Sequence, residues 1–296
     1  RLPLYRLEAK NKSTSNICSF FLEKSLRLAK YVALVFPKFL LNTPEFSTTR
    51  AELAQKSVDA ILDFGEKGFP GILVETIAIF INNLAAPANT KVFSLTHRLH
   101  LTQPQAYIFD PELPYWIIYR NQLFDSVCRK LDFDVFEVFR DRQLTNKLLS
   151  SSGELRVLKS RNLSDDGKEI LDIPGYDSYI SYAAAKPLSV FQYLDAPNVY
   201  LTPNMTYKPR MMKKPPHCVV NGSLAILIPK GGIVPTEKQL AYFSSEEYRA
   251  FYQIARNFQT RSLNVDACSV FFYGLLRDEA KPAPEKFDTS VQLSFF

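Results

Sequence analysis

The first feature that could bind a charged partner is a run of cations without acids. Four cations and a tyrosine lie between positions 201 and 216, with no aspartate or glutamate among them: Tyr207, Lys208, Arg210, Lys213 and Lys214. Lysine and arginine interleaved with an aromatic side chain are typical of contacts with nucleic-acid phosphates. A solvated basic loop has the same composition, so the residues alone leave both interpretations open.

Two pairs of cations add to this pattern. Arg140 and Arg142 are two positions apart, and so are Lys159 and Arg161, a spacing that places both members of a pair on one face of a strand. Arginine is the side chain best suited to read guanine in the major groove. An exposed edge strand is the alternative interpretation of each pair. Arg261, with neighbouring polar residues, is a further candidate for phosphate contact.

A glycine-rich loop presents a different chemistry. Three glycines and one proline lie between positions 65 and 71, which predicts a loop containing Phe69 and Pro70. Glycines on both sides favour exposure of the Phe69 ring. Pro37 ends a preceding strand, and we expect it near the same edge of the sheet, where open α/β sheets place their sites. Packing of Phe69 under its own hairpin, and a simple strand end at Pro37, are the alternatives.

The elements that position this loop alternate between helix and strand. Apolar spacing predicts helices over 17–29 and 50–55, and strands over 31–36, 58–64 and 74–81. We expect the first strand to be buried on both faces of a parallel sheet. The third should run antiparallel to the second, because their connection is too short for a crossover helix. This order describes the second half of a doubly wound α/β domain.

The composition changes near residues 84–89, which we interpret as a linker. Beyond it, the pattern predicts helices over 122–131 and 245–257 and strands over 155–158, 179–182, 199–202 and 224–228. The last helix should bury Tyr248, Phe251 and Tyr252 on one face. We therefore predict an α/β half-domain over residues 1–88, a β-rich α+β domain over 89–277 and a flexible tail over 278–296.

Composition limits the class of protein. The chain has 296 residues, a formal charge of +6 and a pI near 9.0, which favours a polyanionic partner. Its four cysteines are scattered without metal-ligand spacing, and its three histidines are isolated, so we expect no metal site. No apolar run reaches the ~20 residues of a membrane helix. These features predict a cytoplasmic protein without a membrane partner, and the start at Arg1 suggests that an upstream portion is missing.

Residues 31–41 (YVALVFPKFLL), Arg50 and residues 60–79 (AILDFGEKGFPGILVETIAI) together resemble the late motifs of N6-adenine DNA methyltransferases. Residues 155–167 and 200–214 resemble the target-recognition domain that follows those motifs in type II restriction-modification systems. The resemblance implies a Rossmann-like half-domain, S-adenosylmethionine as methyl donor, and base flipping of adenine in double-stranded DNA. It assigns Phe69 to stacking on the flipped adenine, with Pro70 and Pro37 beside it.

Two expected motifs are absent from the sequence. It has no Asn-Pro-Pro-aromatic loop, since its only Pro-Pro follows Lys214 and precedes His217, and it has no glycine-rich acidic segment for the cofactor. We therefore expect an adenine-specific methyltransferase that is incomplete alone. A companion chain or a missing segment would supply the cofactor site and the catalytic loop. A non-catalytic DNA-recognition subunit and an RNA methyltransferase subunit are the alternatives.

The end of the sequence offers one more motif. Residues 292–296 resemble the short peptides that bind the bacterial sliding clamp, through the side chains of Gln292, Leu293, Phe295 and Phe296. Five residues occur often by chance. A terminal strand or an apolar anchor is the alternative interpretation.

Overall fold

The structure of the protein is a computed structural model that describes residues 9–260 and 264–277. Arg261, the predicted tail over 278–296 and the clamp-like residues within it lie outside the described residues. The chain divides into two compact units. Among the described residues, unit 1 holds 9–125 and 254–260, and unit 2 holds 126–253 and 264–277.

Unit 1 is built around one sheet with short helices. Its elements are α1 Ile17–Leu28, β1 Tyr31–Pro37, α2 Ser47–Ala54, β2 Ser57–Gly65, β3 Thr76–Asn82, β4 Asn89–Ser94, β5 Leu99–Pro104 and α3 Gln105–Ile108. The predicted helices and strands of this region are confirmed to within a few residues. Short 3₁₀ turns at Lys38–Leu41 and Pro44–Phe46 connect β1 to α2.

The sheet has the order β1-β3-β2-β4-β5. β3 runs antiparallel to both β1 and β2, as the short connection predicts, whereas β4 runs parallel to β2. An apolar row crosses all five strands through paired positions: Leu34, Ile79, Ile61, Val92 and Leu101. The middle three of these side chains are fully buried, so this row forms the centre of the unit 1 core.

The prediction for β1 was wrong in one respect. We expected β1 to be buried on both faces of a parallel sheet, but it pairs antiparallel with β3. Its burial alternates, with Val32 and Phe36 buried and Tyr31 and Val35 exposed. A continuous apolar run does not reveal which neighbours a strand has, because those neighbours come from distant parts of the chain.

The division between the units also differs from the expected one. Residues 89–104 form β4 and β5, which extend the first sheet, so unit 1 continues to residue 125 rather than ending at residue 88. The predicted linker over 84–89 is the connection from β3 to β4. Ala, Pro and Asn are common in turns and linkers alike, so composition did not distinguish them.

Unit 2 contains short strands in several sheets. Its elements are β6 Leu131–Asp132, β7 Phe136–Phe139, β8 Leu155–Leu158, β9 Ser178–Ile180, α5 Tyr182–Ala185, β10 Tyr200–Pro203, β11 Met212–Lys213, β12 Cys218–Val220, β13 Leu224–Pro229, α6 Glu237–Tyr242 and β14 Leu275–Leu276. Two further helices have part of their sequence in each unit: α4 Gln122–Lys130 and α7 Glu246–Ala255. The predicted strands at β8, β10 and β13 are confirmed to within one residue.

Among its described residues, unit 2 has three sheets, with the orders β11-β10-β13-β7, β12-β8-β9 and β14-β6. The first two share a core that includes Val157, Leu158, Leu201 and Leu224, each fully buried. α7 buries Tyr248, Phe251 and Tyr252, which confirms the predicted apolar face. Within residues 9–260 and 264–277, every helix is too short or too polar to cross a membrane.

Candidate functional site

The loop between β2 and β3, residues 66–75, carries the first candidate site. It leaves the carboxyl end of β2 and returns at Thr76, which pairs with Pro37 at the carboxyl end of β1. Phe69 is 45% exposed, and Pro70 beside it is also exposed. The structure therefore places Pro37, Phe69 and Pro70 at one edge of the sheet, as the sequence predicts.

Two glycines shape this loop. A Cβ atom at Gly68 would lie 2.1 Å from the hydroxyl oxygen of Thr76, so the chain approaches the start of β3 more closely than a larger residue allows. Gly71 has a φ of +78°, a left-handed conformation that glycine adopts without strain. Phe69 lies between these two positions, which explains how an apolar ring comes to be presented at the surface.

A buried ion cluster lies at the base of this loop. The Lys38 ammonium is 2.6 Å from an Asp63 carboxylate oxygen and 3.9 Å from Glu75. Tyr119 donates its hydroxyl proton to the same Asp63 oxygen at 2.5 Å. Lys38 and Asp63 are almost completely buried. A buried charge needs such partners, since an unpaired one would cost several kcal/mol.

The two acids of the cluster also bind the main chain. Asp63 accepts the N–H of Gly65 at 2.9 Å, and Glu75 accepts the N–H of Thr260 at 3.0 Å. Thr260 in turn donates its hydroxyl proton to Glu66 at 2.8 Å. The residues on both sides of the Phe69 loop are thus bound to buried charges, which fixes the two ends of the loop.

Aromatic side chains lie next to this ion cluster. Burial, and after it the nearby Asp63, raises the pKa of Tyr119 well above its ordinary value, so its hydroxyl stays protonated and donates to Asp63. Desolvation, and then the Lys38 charge, lowers the pKa of His97. The His97 ring packs 4.7 Å from Phe258, whose φ of 51° is unusual for a bulky side chain.

The predicted basic run of unit 2 divides into two environments. Lys208, Lys213 and Tyr207 are exposed, with Lys208 3.1 Å from Asp165. Arg210 and Lys214 are buried and donate to main-chain carbonyl oxygens, Lys214 to Leu194 and Pro215, and Arg210 to Ser160, Leu163 and Lys208. Their interpretation as phosphate contacts was therefore wrong, because both side chains are buried and donate to main-chain carbonyl oxygens inside unit 2.

The two predicted pairs of cations, Arg140 with Arg142 and Lys159 with Arg161, do not lie on strands. Arg140 and Arg142 follow the end of β7. Arg140 is half-buried, and burial followed by the neighbouring Arg142 charge lowers its pKa, whereas Arg142 is exposed. Lys159 and Arg161 follow β8, and Arg161 lies in the 3₁₀ turn Ser160–Asn162. The expected strand spacing was wrong for both pairs, although Lys159 and Arg161 do meet at one aromatic ring, that of Tyr176.

Sequence reasoning missed the ion cluster and Tyr176. An aspartate inside an apolar strand, at Asp63, and a lysine directly after a strand end, at Lys38, were visible signals. Tyr176 gave no signal, because it lies 15 residues beyond Arg161 and only folding brings them together. Among the residues that the structure describes, no group of three His, Cys, Asp or Glu side chains is arranged to hold a metal ion.

No protein-family model and no curated protein matches this chain. Its structure is similar to that of the type IIL restriction-modification enzyme MmeI, solved in complex with DNA, with a TM-score of 0.50 and 11% identity. The match covers 89% of this chain and 42% of MmeI, so the chain spans less than half the length of that enzyme. The type IIG restriction endonuclease BpuSI matches with a TM-score of 0.34 and 9% identity, over 89% of this chain and 43% of BpuSI. The likeness to MmeI is one of fold, in a mixed α/β architecture with several sheets.

Proposed function

We propose that this chain is the target-base and sequence-recognition part of a DNA adenine-N6 methyltransferase of a restriction-modification system. The observation that carries the proposal is the Phe69 ring, 45% exposed on a loop whose base is fixed by buried charges. An exposed aromatic ring on a loop whose ends are fixed is suited to stack on a base that has left the duplex. The fold shared with MmeI supports the same assignment.

In this proposal, unit 1 holds the adenine. Because the exocyclic amine is not accessible for methyl transfer inside a duplex, the adenine flips out and its face stacks on Phe69. Pro37 and Pro70 form apolar walls beside the ring. Unit 2 binds double-stranded DNA through exposed cations and selects the sequence around the adenine.

The residues of this chain do not fit a binding site for S-adenosylmethionine. S-adenosylmethionine would supply the methyl group, but the sequence has no glycine-rich acidic segment to hold this cofactor. Asp63 and Glu75, the acids of the buried cluster, are engaged by Lys38, Tyr119 and main-chain N–H groups. They do not offer an acceptor to the cofactor hydroxyl groups, so we assign the cofactor to a companion polypeptide or another segment.

The free edge of β1 is where we place that companion. Within the described residues, β1 pairs only with β3, and Tyr31 and Val35 on it are 67% and 50% exposed. Phe21 and Leu28 of α1 are exposed as well and help to line an apolar groove. An edge strand of seven residues with exposed apolar side chains is a template for another strand.

The substitution Phe69→Ala tests the stacking role, assayed with the polypeptide that co-purifies with the chain. Loss of stacking is worth about 1–3 kcal/mol per base, so we expect methylation to fall roughly 5- to 150-fold. DNA affinity should stay within about twofold, and Phe69→Trp should retain most of the activity. Leu73→Ala is the matched control, since Leu73 is 64% exposed in the same loop.

Unchanged methylation by the Phe69→Ala variant would exclude the stacking role. It would then favour a second candidate, a DNA-recognition subunit without catalytic residues, whose unit 1 serves only for assembly. The absence of the Asn-Pro-Pro-aromatic loop is the observation that favours this candidate. Fluorescence of 2-aminopurine placed at the target base distinguishes the two, because a base stacked on Phe69 and one left free differ in emission.

A further inference from the structure

An arginine stacked on a tyrosine stands out on the surface of unit 2. The guanidinium carbon of Arg161 lies 4.7 Å from the centroid of the Tyr176 ring. Arg161 is exposed, and among residues 9–260 and 264–277 its guanidinium has no hydrogen-bond or ion-pair partner. It therefore holds a defined position while its donors remain available to a ligand.

The two turns that carry this pair are cross-linked by Asn162, which is fully buried. Its side-chain oxygen accepts the N–H of Lys159 at 2.9 Å, and its amide donates to Leu171 at 3.0 Å and to Asp177 at 2.6 Å. Asn162 thus joins the 3₁₀ turn of Arg161 to the turn of Tyr176. Such supporting hydrogen bonds fix a functional side chain in advance of binding.

Asp177 completes this support from the side of Tyr176. One of its oxygens accepts from the Arg156 guanidinium at 3.0 Å and from the N–H of Ile173 at 3.0 Å. The main-chain N–H of Tyr176 donates to the Ile173 carbonyl at 3.0 Å, which closes the turn. The backbone of Tyr176 is therefore fixed by hydrogen bonds that do not involve Arg161.

Lys159 shows the opposite arrangement at the same ring. Its ammonium lies 3.9 Å from the Tyr176 centroid but donates to the Tyr176 carbonyl and to the Ser178 hydroxyl. Two of its three donors are already used inside unit 2. Of the two cations at this ring, Arg161 is the one that presents free donors to solvent.

We propose that Arg161 reads a guanine of the DNA target in the major groove, with Tyr176 as its positioning residue. The Tyr176 ring holds the guanidinium close to it, and the paired donors of the guanidinium match O6 and N7 of guanine in a bidentate contact. A phosphate can accept from the same planar fork, so the two partners differ in whether binding depends on the base at one position. The inference rests on the proposed function insofar as duplex DNA is the partner.

The test is selection of randomised DNA duplexes by the full chain together with its co-purifying polypeptide. For Arg161→Ala, we expect the preference for guanine at one position of the selected motif to fall roughly 5- to 150-fold. The other positions should keep their preferences. Arg161→Lys should lose the guanine preference at the same position, although the variant keeps the charge. Tyr176→Leu should weaken this preference, and Tyr176→Phe should retain it.

Lys147→Ala is the matched control, since Lys147 is an exposed cation of the same unit that the proposal does not use, and it should leave the motif unchanged. An unchanged motif for Arg161→Ala would overturn the inference. A uniform fall in affinity for all sequences, rescued by lysine, would also overturn it and assign Arg161 to phosphate. A wild-type chain that selects no sequence overturns it as well. If a motif is selected but its adenine is not methylated, only the proposed methyltransferase function fails.

Discussion

Lys213 and Lys214 are neighbours in the sequence but have opposite environments. Lys213 is exposed, whereas Lys214 is buried and donates to the carbonyl oxygens of Leu194 and Pro215 at 2.7 and 2.9 Å. Burial lowers the pKa of Lys214. One side chain is free to contact DNA, and the other maintains the fold.

The substitutions Lys213→Ala and Lys214→Ala should therefore separate binding from stability. Lys213→Ala should weaken DNA binding and reduce the slope of log affinity against log salt by about 1, with an unchanged unfolding midpoint. Lys214→Ala should lower the free energy of unfolding by about 1–3 kcal/mol, because two buried carbonyl groups lose their donor. Fluorescence anisotropy titrations and urea unfolding measure the two quantities. Equal effects of both variants on stability would contradict the assignment of Lys213 to DNA binding and of Lys214 to the stability of the fold.

At the scale of elements, β1 combines a free edge with exposed apolar side chains. Val35 lies near the middle of this strand and is 50% exposed. Its neighbours on the opposite face, Leu34 and Phe36, face the core or its border. A charge at Val35 should therefore leave unit 1 folded and act only on a partner that pairs with β1.

The substitution Val35→Lys tests that partner. We expect at least a tenfold loss of the co-purifying polypeptide, since a buried lysine would oppose strand pairing, and an unchanged circular dichroism spectrum. Leu95→Lys is the control, because Leu95 is 49% exposed in the connection between β4 and β5. If Val35→Lys retains its companion in full, the free edge of β1 is not the assembly surface.

At the scale of the whole molecule, the formal charge of +6 favours a nucleic acid without specifying which one. With Arg142, Lys208 and Lys213 each contacting one phosphate, the slope of log affinity against log salt should be roughly −2 to −4 for duplex DNA. A duplex RNA of the same sequence should bind more weakly, because its deep, narrow major groove is closed to Arg161. Equal affinity for both duplexes would favour an RNA methyltransferase subunit.

The sequence by itself determined most of the local structure. Apolar spacing predicted α1, β2, β3, β8 and α7, because each buries one face against a core and the spacing records which residues face inward. The loop at Phe69 was also predictable, since its glycines and proline exclude both helix and strand. These signals are local, and they do not depend on which strand becomes a neighbour.

The tertiary structure decided the environments of the charges. The cluster below Phe69 joins Lys38, Asp63, Glu75 and Tyr119, which are up to 81 residues apart. Their spacing in the sequence therefore could not predict the cluster. The same limit applies to Arg210 and Lys214, which are indistinguishable from exposed cations in the sequence. Whether a charge is buried or free depends on which distant carbonyls and carboxylates meet it, and folding alone brings those groups together.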